Sequence, residues 1–472
     1  MQRRPIRATL WLICALAFTS PVWAQRAQVT LELGFDGEVV ADSWNPLKLT
    51  TRDITEAQLV LTLDQGTLRE GESLAIYQAD INAGGGVAVF EDDLYLPSWR
   101  SLSWRLLGAD EVLASGTLDR RNLDARPLNL IVSAAPSRWR DQFENDARVM
   151  TIPPSILPER LAAFDGVSSL TIDGSASMPN LEAVLAAATA GAKVILIDPL
   201  PASHKPLEAL VTRQTQAGAG GLYRTSRDGL ANLVTQLNVP TKALTTALLT
   251  PTLNETPDLP AQFPLLVASG AYLLLVLVLV RLAGAPGLVA SAALALLASL
   301  AAWSYLRPST ALNFQGRSLL ISSGNLARRD DLRTVFTLPQ TTLTLPEAAR
   351  PFRPVPHSYG PDTFELELNR WASEALFLKP YVTTASLHWE GGKLLNTGAA
   401  LLNDVYVQGL GPQGALEPGS RLTPSSSEDT LQPDGYEGLL ELLPDGTALA
   451  RDGGIFHIGL APPQNPVAGL EP

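Results

Sequence analysis

Cysteine is almost absent from this sequence. The 472 residues contain one, Cys14, in an apolar stretch that follows three arginines near the start of the chain. Val22-Trp23-Ala24 then places small residues ahead of a potential cleavage point. The pattern predicts a secretory signal peptide over residues 1–24, cleaved after Ala24, with an uncleaved signal anchor as the alternative. A mature chain without Cys14 excludes disulfides, thiolate metal sites and a cysteine nucleophile.

Histidine and charged residues are also scarce. The four histidines are far apart in the sequence, so no metal site is predicted, and no motif indicates a cofactor. Charged residues make up only 17% of the chain, which favours a membrane contribution. The net charge of −12 argues against nucleic acid as a partner, because phosphate binding needs a basic surface.

The pattern of short apolar runs divides the first half of the chain into two folded regions. Residues 25–125 contain short, partly alternating runs punctuated by Gly, Asp and Pro, which predict an immunoglobulin-like β-sandwich. Residues 126–240 contain continuous apolar runs separated by helical patterns, which predict an α/β domain with a parallel sheet. A helix is expected to begin near Pro179 and end at Gly191.

The second half of the chain begins with two long apolar stretches. Residues 241–262 are rich in Pro and Thr and predict an extended linker. The stretches Pro264–Leu282 and Leu288–Leu306 are separated by a short turn, so residues 263–307 are expected to form a hairpin of two transmembrane helices. The bilayer would then be a partner through residues 264–306, and both large folded parts would lie on the extracytoplasmic side of a bacterial cytoplasmic membrane.

Alternating patterns return after the hairpin. Residues 308–472 predict a C-terminal β-sandwich with a mobile, Pro-rich tail. The run "RRDDLR" at 328–333 mixes charges of both signs and is expected to be a surface turn. Glu91-Asp92-Asp93 contains enough carboxylates for a Ca²⁺ site, but a solvated acidic face is the expectation.

Several longer stretches resemble a family of uncharacterised bacterial envelope proteins. They are "GFDGEVVADSWNPLKLTTRD" at 34–53, "LPERLAAFDGVSSLTIDG" at 157–174, and "GGKLLNTGAALLNDVYVQGL" with "LEPGSRL" after residue 390. The resemblance implies a signal peptide, a β-sandwich, a flavodoxin-like, class I glutamine-amidotransferase-like α/β domain, a transmembrane hairpin and a distal β domain. True amidotransferases use a Cys-His-Glu triad. This chain lacks the cysteine, so the resemblance implies a fold and a location but not glutamine hydrolysis.

A serine hydrolase is the enzymatic alternative. Ser175 follows Gly174 at the end of a predicted strand, where ligands bind in open α/β sheets. His204 would be its base, and Asp198 or Asp173 would orient the imidazole. The run Gly174-Ser175-Ala176-Ser177-Met178 lacks the second glycine of a nucleophile elbow, and either serine also makes an ordinary helix cap.

The sequence therefore favours a non-enzymatic protein. We expect a membrane-anchored binding or scaffold protein of the bacterial envelope, with a catalytically inactive amidotransferase-like domain and with other envelope proteins as partners. No catalytic, cofactor or metal residue is predicted. The alternatives are a hydrolase that uses Ser175, His204 and Asp198, and a glycan-binding module that uses exposed Trp99 or Trp104.

Overall fold

The fold is known from a computed structural model of the chain. It describes residues 28–64, 74–82, 84–97, 101–109, 111–118, 123–144, 146–213, 216–235, 239–254, 312–337, 340–369, 372–427, 432–433 and 435–461, with helical fragments between 272 and 295. The predicted signal peptide, Trp99 and the predicted tail beyond residue 461 lie outside the described residues.

The N-terminal part is a β-sandwich. One sheet has the order β1-β3-β6, and its buried leucines pack against those of a second sheet that contains β5-β4-β7-β8. Buried and half-buried residues alternate along β3 and β4 because only one face of each strand meets the core. The strands are β1 (Val29–Leu33), β2 (Val39–Val40), β3 (Ser43–Arg52), β4 (Glu56–Asp64), β5 (Leu74–Asn82), β6 (Val87–Leu96), β7 (Ser101–Leu107) and β8 (Val112–Leu118).

An α/β unit follows, with a sheet in the order β11-β10-β12-β13-β15-β14. All neighbours pair in parallel except β14 and β15. Every residue of β13 is buried, as expected for a central parallel strand that is covered on both faces. The strands are β9 (Leu123–Asp124), β10 (Leu128–Val132), β11 (Arg148–Thr151), β12 (Val167–Asp173), β13 (Lys193–Ile197), β14 (Gln216–Ala217) and β15 (Gly220–Thr225).

The helices of this region are mostly short. They are α1 (Ser137–Arg140), α2 (Leu181–Ala190), α3 (Lys205–Arg213), α4 (Leu230–Thr235) and α5 (Thr241–Asn254), with 3₁₀ turns at Pro154–Ile156, Ala162–Phe164, Ala202–His204 and Arg227–Gly229. The side chain of Asn180 caps α2 by accepting a hydrogen bond from the Glu182 amide at 3.0 Å. Gly191 ends α2 with φ near 122°, a backbone conformation that residues with a side chain rarely adopt.

Helix α5 occupies part of the segment that was expected to be an extended linker. Leu244 is fully buried and belongs to a core cluster with Tyr436 and Leu439 of the C-terminal part. The Thr245 hydroxyl donates to the Thr241 carbonyl at 2.8 Å, a bond available only in a helical turn. Burial of the apolar face therefore outweighs the weak helix propensity of the threonines and Pro251.

The C-terminal part is not a separate sandwich, in contrast to the sequence expectation. Strands from residues 341–368 extend the second sheet of the N-terminal sandwich, giving the order β18-β21-β20-β5-β4-β7-β8. Its strands are β16 (Leu312–Ser323), β17 (Leu326–Thr337), β18 (Thr341–Leu345), β19 (Ala349–Pro351), β20 (His357–Tyr359), β21 (Phe364–Leu368), β22 (Ala372–Leu378), β23 (Tyr381–Thr384), β24 (Leu387–Glu390), β25 (Lys393–Asn396), β26 (Leu402–Val407), β27 (Gly411–Leu416), β28 (Arg421–Leu422), β29 (Ala448–Asp452) and β30 (Ile455–Gly459).

The remaining C-terminal strands form their own sheets. The larger sheet has the order β19-β22-β17-β16-β30-β29-β26-β27, with β23 also paired to β17. Strands β24, β25 and β28 form a smaller sheet, and a short helix α6 (Glu437–Leu440) precedes β29. Because β20 pairs in parallel with β5, the N-terminal sandwich and residues 335–378 share one hydrophobic core.

The predicted membrane hairpin needs correction. Across the described residues, no helix combines the length and the apolarity that a membrane crossing requires. Two transmembrane helices at 263–307, and the membrane location inferred from them, are therefore wrong for this part of the chain. The residues described between 272 and 295 are helical except Gly284, which has φ near 58°. Their leucines are largely exposed, for example Leu277 and Leu282.

A buried ion-pair network joins the α/β unit to the C-terminal part. Arg328 on β17 lies 2.8 Å from Asp165 and 2.8 Å from Asp330, and all three side chains are less than 10% exposed. Arg328 also donates to the Ala190 carbonyl at 2.7 Å, at the end of α2. Arg328 and Asp330 point inward from a strand, whereas the sequence pattern predicted a surface turn. Strand alternation explains the difference, since residues two apart share one face.

A second set of ion pairs joins all three parts. Asp93 of β6 lies 3.0 Å from Arg160 and 3.0 Å from Lys379, and Asp92 lies 2.8 Å from Lys379. The Tyr77 hydroxyl donates to Asp92 at 2.6 Å. Burial alone would lower the pKa of Lys379, but Asp93 and Asp92 outweigh it and raise that pKa. Asp92 and Asp93 are therefore buried in ion pairs. The sequence pattern had suggested a solvated acidic face at this position.

Replacing Arg328 tests the first network. We expect Arg328→Met to lower the free energy of unfolding by about 3–5 kcal/mol, because two buried carboxylates lose their counter-ion. Urea denaturation followed by circular dichroism measures this loss. Arg421→Met is the matched control, since its pair with Glu390 is exposed and is expected to contribute less than about 1 kcal/mol. Equal effects of the two substitutions would contradict the assignment.

Two core histidines make stability depend on pH. Burial lowers the pKa of His357 and of His457 from 6.5 to about 4. As the pH falls, the unfolded chain therefore takes up protons at a higher pH than the folded chain does. The stabilising contribution is complete above pH 6.5 and falls as the pH drops towards 4. Each histidine contributes roughly 3 kcal/mol to this loss. In a series of urea titrations, His457→Phe should flatten the decline between pH 6.5 and 4, and an unchanged slope would refute the interpretation.

Candidate functional site

A carboxylate cluster lies at the carboxyl edge of the parallel sheet. Asp173, the last residue of β12, accepts hydrogen bonds from the Ser133 hydroxyl at 2.5 Å, the Ser175 hydroxyl and the Trp139 indole. It also accepts from the Ser175 amide at 2.9 Å. Burial would raise the pKa of Asp173, but the hydrogen bonds from Ser133, Ser175 and Trp139 outweigh it and lower that pKa. Protein hydrogen-bond donors therefore replace water around the Asp173 carboxylate and stabilise its ionised form.

The Ser175 hydroxyl makes its hydrogen bonds within this cluster. It donates to Asp173, accepts from the Ala134 amide at 2.8 Å and lies 3.1 Å from the Ser133 hydroxyl. A carboxylate with a lowered pKa is a weak base, so Asp173 holds the Ser175 proton in a hydrogen bond but is poorly suited to remove it. Ser177, the other candidate, is exposed one residue after Ala176.

The other residues of the hydrolase alternative point elsewhere. His204 is buried, its Nδ1 lies 3.1 Å from the Ser203 hydroxyl, and its Nε2 has no hydrogen-bond partner in the structure. Burial lowers the pKa of His204, while the charge of Asp173 acts in the opposite direction. Asp198 forms an ion pair with Arg224 at 2.8 Å. The structure brings Ser175 and Asp173 together but makes no hydrogen bond from either of them to His204.

A second candidate site is a cavity of about 370 Å³ between the three parts of the chain. Its lining includes apolar and aromatic side chains together with charged groups of both signs. The lining residues are Asp42, Trp44, Tyr95, Asp165, Lys242, Thr245, Thr246, Arg328, Asp330, Asp331, Arg350, Phe352, Phe377, Leu378 and Pro380. The cavity lies next to another of about 330 Å³, and Asp165 and Lys242 line both.

Two cations of the larger cavity have no carboxylate partner. The Arg350 guanidinium is stacked between the rings of Tyr95 and Phe377, 4.5 and 4.2 Å from their centroids. The Lys242 ammonium donates to the Ser43 hydroxyl at 2.6 Å. Among the ion pairs of the described residues, Arg328 is matched with Asp165 and Asp330, whereas Arg350 and Lys242 are matched with none.

Burial and charge also shift the pKa values of groups around this cavity. Burial raises the pKa of Tyr95 to about 12, and Arg350 acts in the opposite direction. Burial would raise the pKa of Asp165, but Arg328 and Lys242 outweigh it and lower that pKa. Desolvation of the ammonium lowers the pKa of Lys242, against the effect of Asp165. The lowered pKa keeps Asp165 ionised beside Arg328 and Lys242.

The described residues give little support to a metal site or to a glycan-binding site. No group of three or more His, Cys, Asp or Glu side chains in the described part of the chain is arranged to hold a metal ion. Trp104 is half-buried and its indole lies so close to Gly116 that a side chain there would meet Nε1 at 2.6 Å. Trp104 thus covers a cross-strand glycine and packs against the sandwich core. Trp99, its companion in the glycan hypothesis, lies outside the described residues.

Comparisons with known proteins identify no family. No family model matches this chain, and no curated protein matches it. A crystal structure from Akkermansia muciniphila is 7% identical, with a TM-score of 0.15, and the match covers 27% of this chain and 81% of that one. A calcium-binding mutant of Bacteroides uniformis beta-glucuronidase 2 is 11% identical, with a TM-score of 0.13, and the match covers 37% and 24%. Similarity this low carries no statement about fold or function, and the resemblance to envelope proteins stays a prediction.

Replacing Asp173 tests the carboxylate cluster. We expect Asp173→Asn to lower the free energy of unfolding by about 2–3 kcal/mol, because an amide cannot accept from all the donors that surround it. The loss should be largest near neutral pH and shrink as acid protonates Asp173 in the reference protein. Ser177→Ala is the control, since Ser177 is exposed. An unchanged free energy of unfolding in Asp173→Asn would contradict the structural role of the cluster.

Proposed function

We propose that this chain is a binding or scaffold protein whose α/β domain is catalytically inactive. The observation that carries the proposal is the hydrogen bonding of Ser175. Its hydroxyl proton is held by Asp173, and its oxygen accepts from the Ala134 amide. This arrangement supports a structural role, because a nucleophile must give its proton to a base such as an imidazole.

The packing of the α/β domain supports the same role. The domain contributes Asp165 to the buried network around Arg328 and Arg160 to the pair with Asp93. The Ser323 hydroxyl at the end of β16 donates to the Gly218 carbonyl at 2.8 Å, next to β14. The domain thus holds the N-terminal and C-terminal β structures in a fixed arrangement. Such an arrangement suits a protein that presents binding surfaces and a cavity between its parts.

Labelling with a fluorophosphonate tests the proposal directly. These reagents form a covalent bond with an activated serine hydroxyl, so we expect no label on Ser175 in the folded protein. Intact-mass spectrometry measures the reaction. A serine hydrolase treated in parallel confirms that the reagent is active, and heat-denatured protein gives the background.

Two variants make the result interpretable. Ser175→Ala removes the only hydroxyl in question, and Ser177→Ala removes its exposed neighbour. Labelling of the unmodified protein that Ser175→Ala abolishes, and that Ser177→Ala leaves intact, would overturn the proposal and favour the hydrolase alternative. Absence of labelling in all three proteins is the expected outcome.

A further inference from the structure

The cavity between the three parts contains an arginine, Arg350, that forms no ion pair among the described residues. The Arg350 guanidinium carbon lies over the rings of Tyr95 and Phe377, 4.5 and 4.2 Å from their centroids, and the guanidinium also hydrogen-bonds the Tyr95 side chain. A guanidinium has five N–H donors, so Arg350 keeps donors with which a carboxylate can pair in a bidentate geometry. Stacking of this kind fixes the orientation of the fork before a ligand arrives, which reduces the entropy lost on binding.

Lys242 supplies a second cation at the same cavity. Its ammonium donates to the Ser43 hydroxyl at 2.6 Å, and a lysine ammonium has three donors. The charges of Asp165 and Asp42 act on Lys242, and those of Arg350 and Arg328 act in the opposite direction, so all of these groups lie within electrostatic range of Lys242. Arg328 is already neutralised by Asp165 and Asp330. The charge available to a ligand therefore comes from Arg350 and Lys242.

The surrounding charges and walls restrict the ligand further. Asp42 and Asp331 also line the cavity, so a dianion would be repelled more strongly than a monoanion. Trp44, Phe352 and Phe377 provide apolar wall, and a volume of about 370 Å³ is within the range of small-molecule sites.

We infer that this cavity binds a small organic monocarboxylate with an apolar body, whose carboxylate pairs with Arg350 and Lys242 while the body lies against the aromatic wall. The inference rests on the proposed binding role, but it depends on residues that are remote in sequence from Ser175. Labelling of Ser175 would therefore refute the inactive domain without deciding the cavity, and a failed ligand titration would do the reverse.

Isothermal titration calorimetry of the full chain with three probes tests the inference. Benzoate carries one carboxylate on an apolar ring, benzamide is its neutral counterpart of the same shape, and inorganic phosphate is a multivalent anion without an apolar body. We expect benzoate to bind with a Kd of about 1 mM or below, and benzamide and phosphate to bind at least about ten-fold more weakly. No binding of benzoate, or equal binding of benzamide, would overturn the inference.

Three variants locate the binding. Arg350→Met keeps the apolar stack between the rings and should raise the Kd for benzoate by at least about ten-fold. Lys242→Met, at an exposed position of α5, should also raise it. Arg138→Met is the matched control, because Arg138 is stacked 5.3 Å from the Trp139 ring outside the cavity, and its Kd should be unchanged. Near-UV circular dichroism checks folding. If Arg350→Met is misfolded, unchanged benzoate binding by Lys242→Met overturns the inference.

Discussion

A buried arginine with two carboxylates sets the arrangement of this molecule. Arg328 is 3% exposed, and removing a guanidinium from water is so costly that its counter-ions must be in place when the chain folds. One counter-ion, Asp330, comes from the same strand. The other, Asp165, comes from the α/β unit, and its second oxygen receives the Trp44 amide of the N-terminal sandwich at 3.4 Å. Separation of the α/β unit from the C-terminal part would leave Asp165 buried without Arg328, so the network favours a single fixed arrangement.

The two candidate sites differ in how their polar groups are satisfied. At the sheet edge, Asp173 has a full set of protein donors, and Ser175 is one of them. Such a cluster stabilises the fold and leaves no group free to react. In the cavity between the parts, Arg350 and Lys242 are positioned by rings and by a hydroxyl but meet no carboxylate. The chain thus satisfies its polar groups unevenly: closed hydrogen bonding stabilises the sheet edge, and cations without an ion-pair partner among the described residues line the cavity between the parts.

Local patterns in the sequence predict local structure but not the contacts between distant segments. The cap at Asn180 and the glycine at 191 are visible as residues, and α2 lies between them because both signals act within one turn. The strand ending at Asp173 is visible as an apolar run, and Asp followed two residues later by Ser is typical of the turn that fixes Ser175. The Ala134 amide that donates to the Ser175 oxygen, and the Ser133 and Trp139 groups that donate to Asp173, come from a remote segment that no local pattern shows.

Long-range pairing explains where the sequence analysis failed. Asp165 and Arg328 are 163 residues apart, and no spacing rule connects them. The alternation Arg328, Asp330 on one face and Arg329, Asp331 on the other was present in the sequence, but charged residues were taken as solvated because burial of charge needs a partner that only the fold reveals. The apolar runs after residue 263 were assigned to membrane helices from hydropathy alone. Among the described residues, no helix is long and apolar enough for that assignment.

Native-state hydrogen exchange tests the central claim most directly, namely that the buried network makes the α/β unit and the C-terminal sheet one cooperative body. The account predicts that amides of Val167–Asp173 and Leu326–Thr337 exchange with the same opening free energy and the same dependence on denaturant. Exchange of the α/β strands through a separate opening of lower free energy, with Leu326–Thr337 still protected, would contradict it.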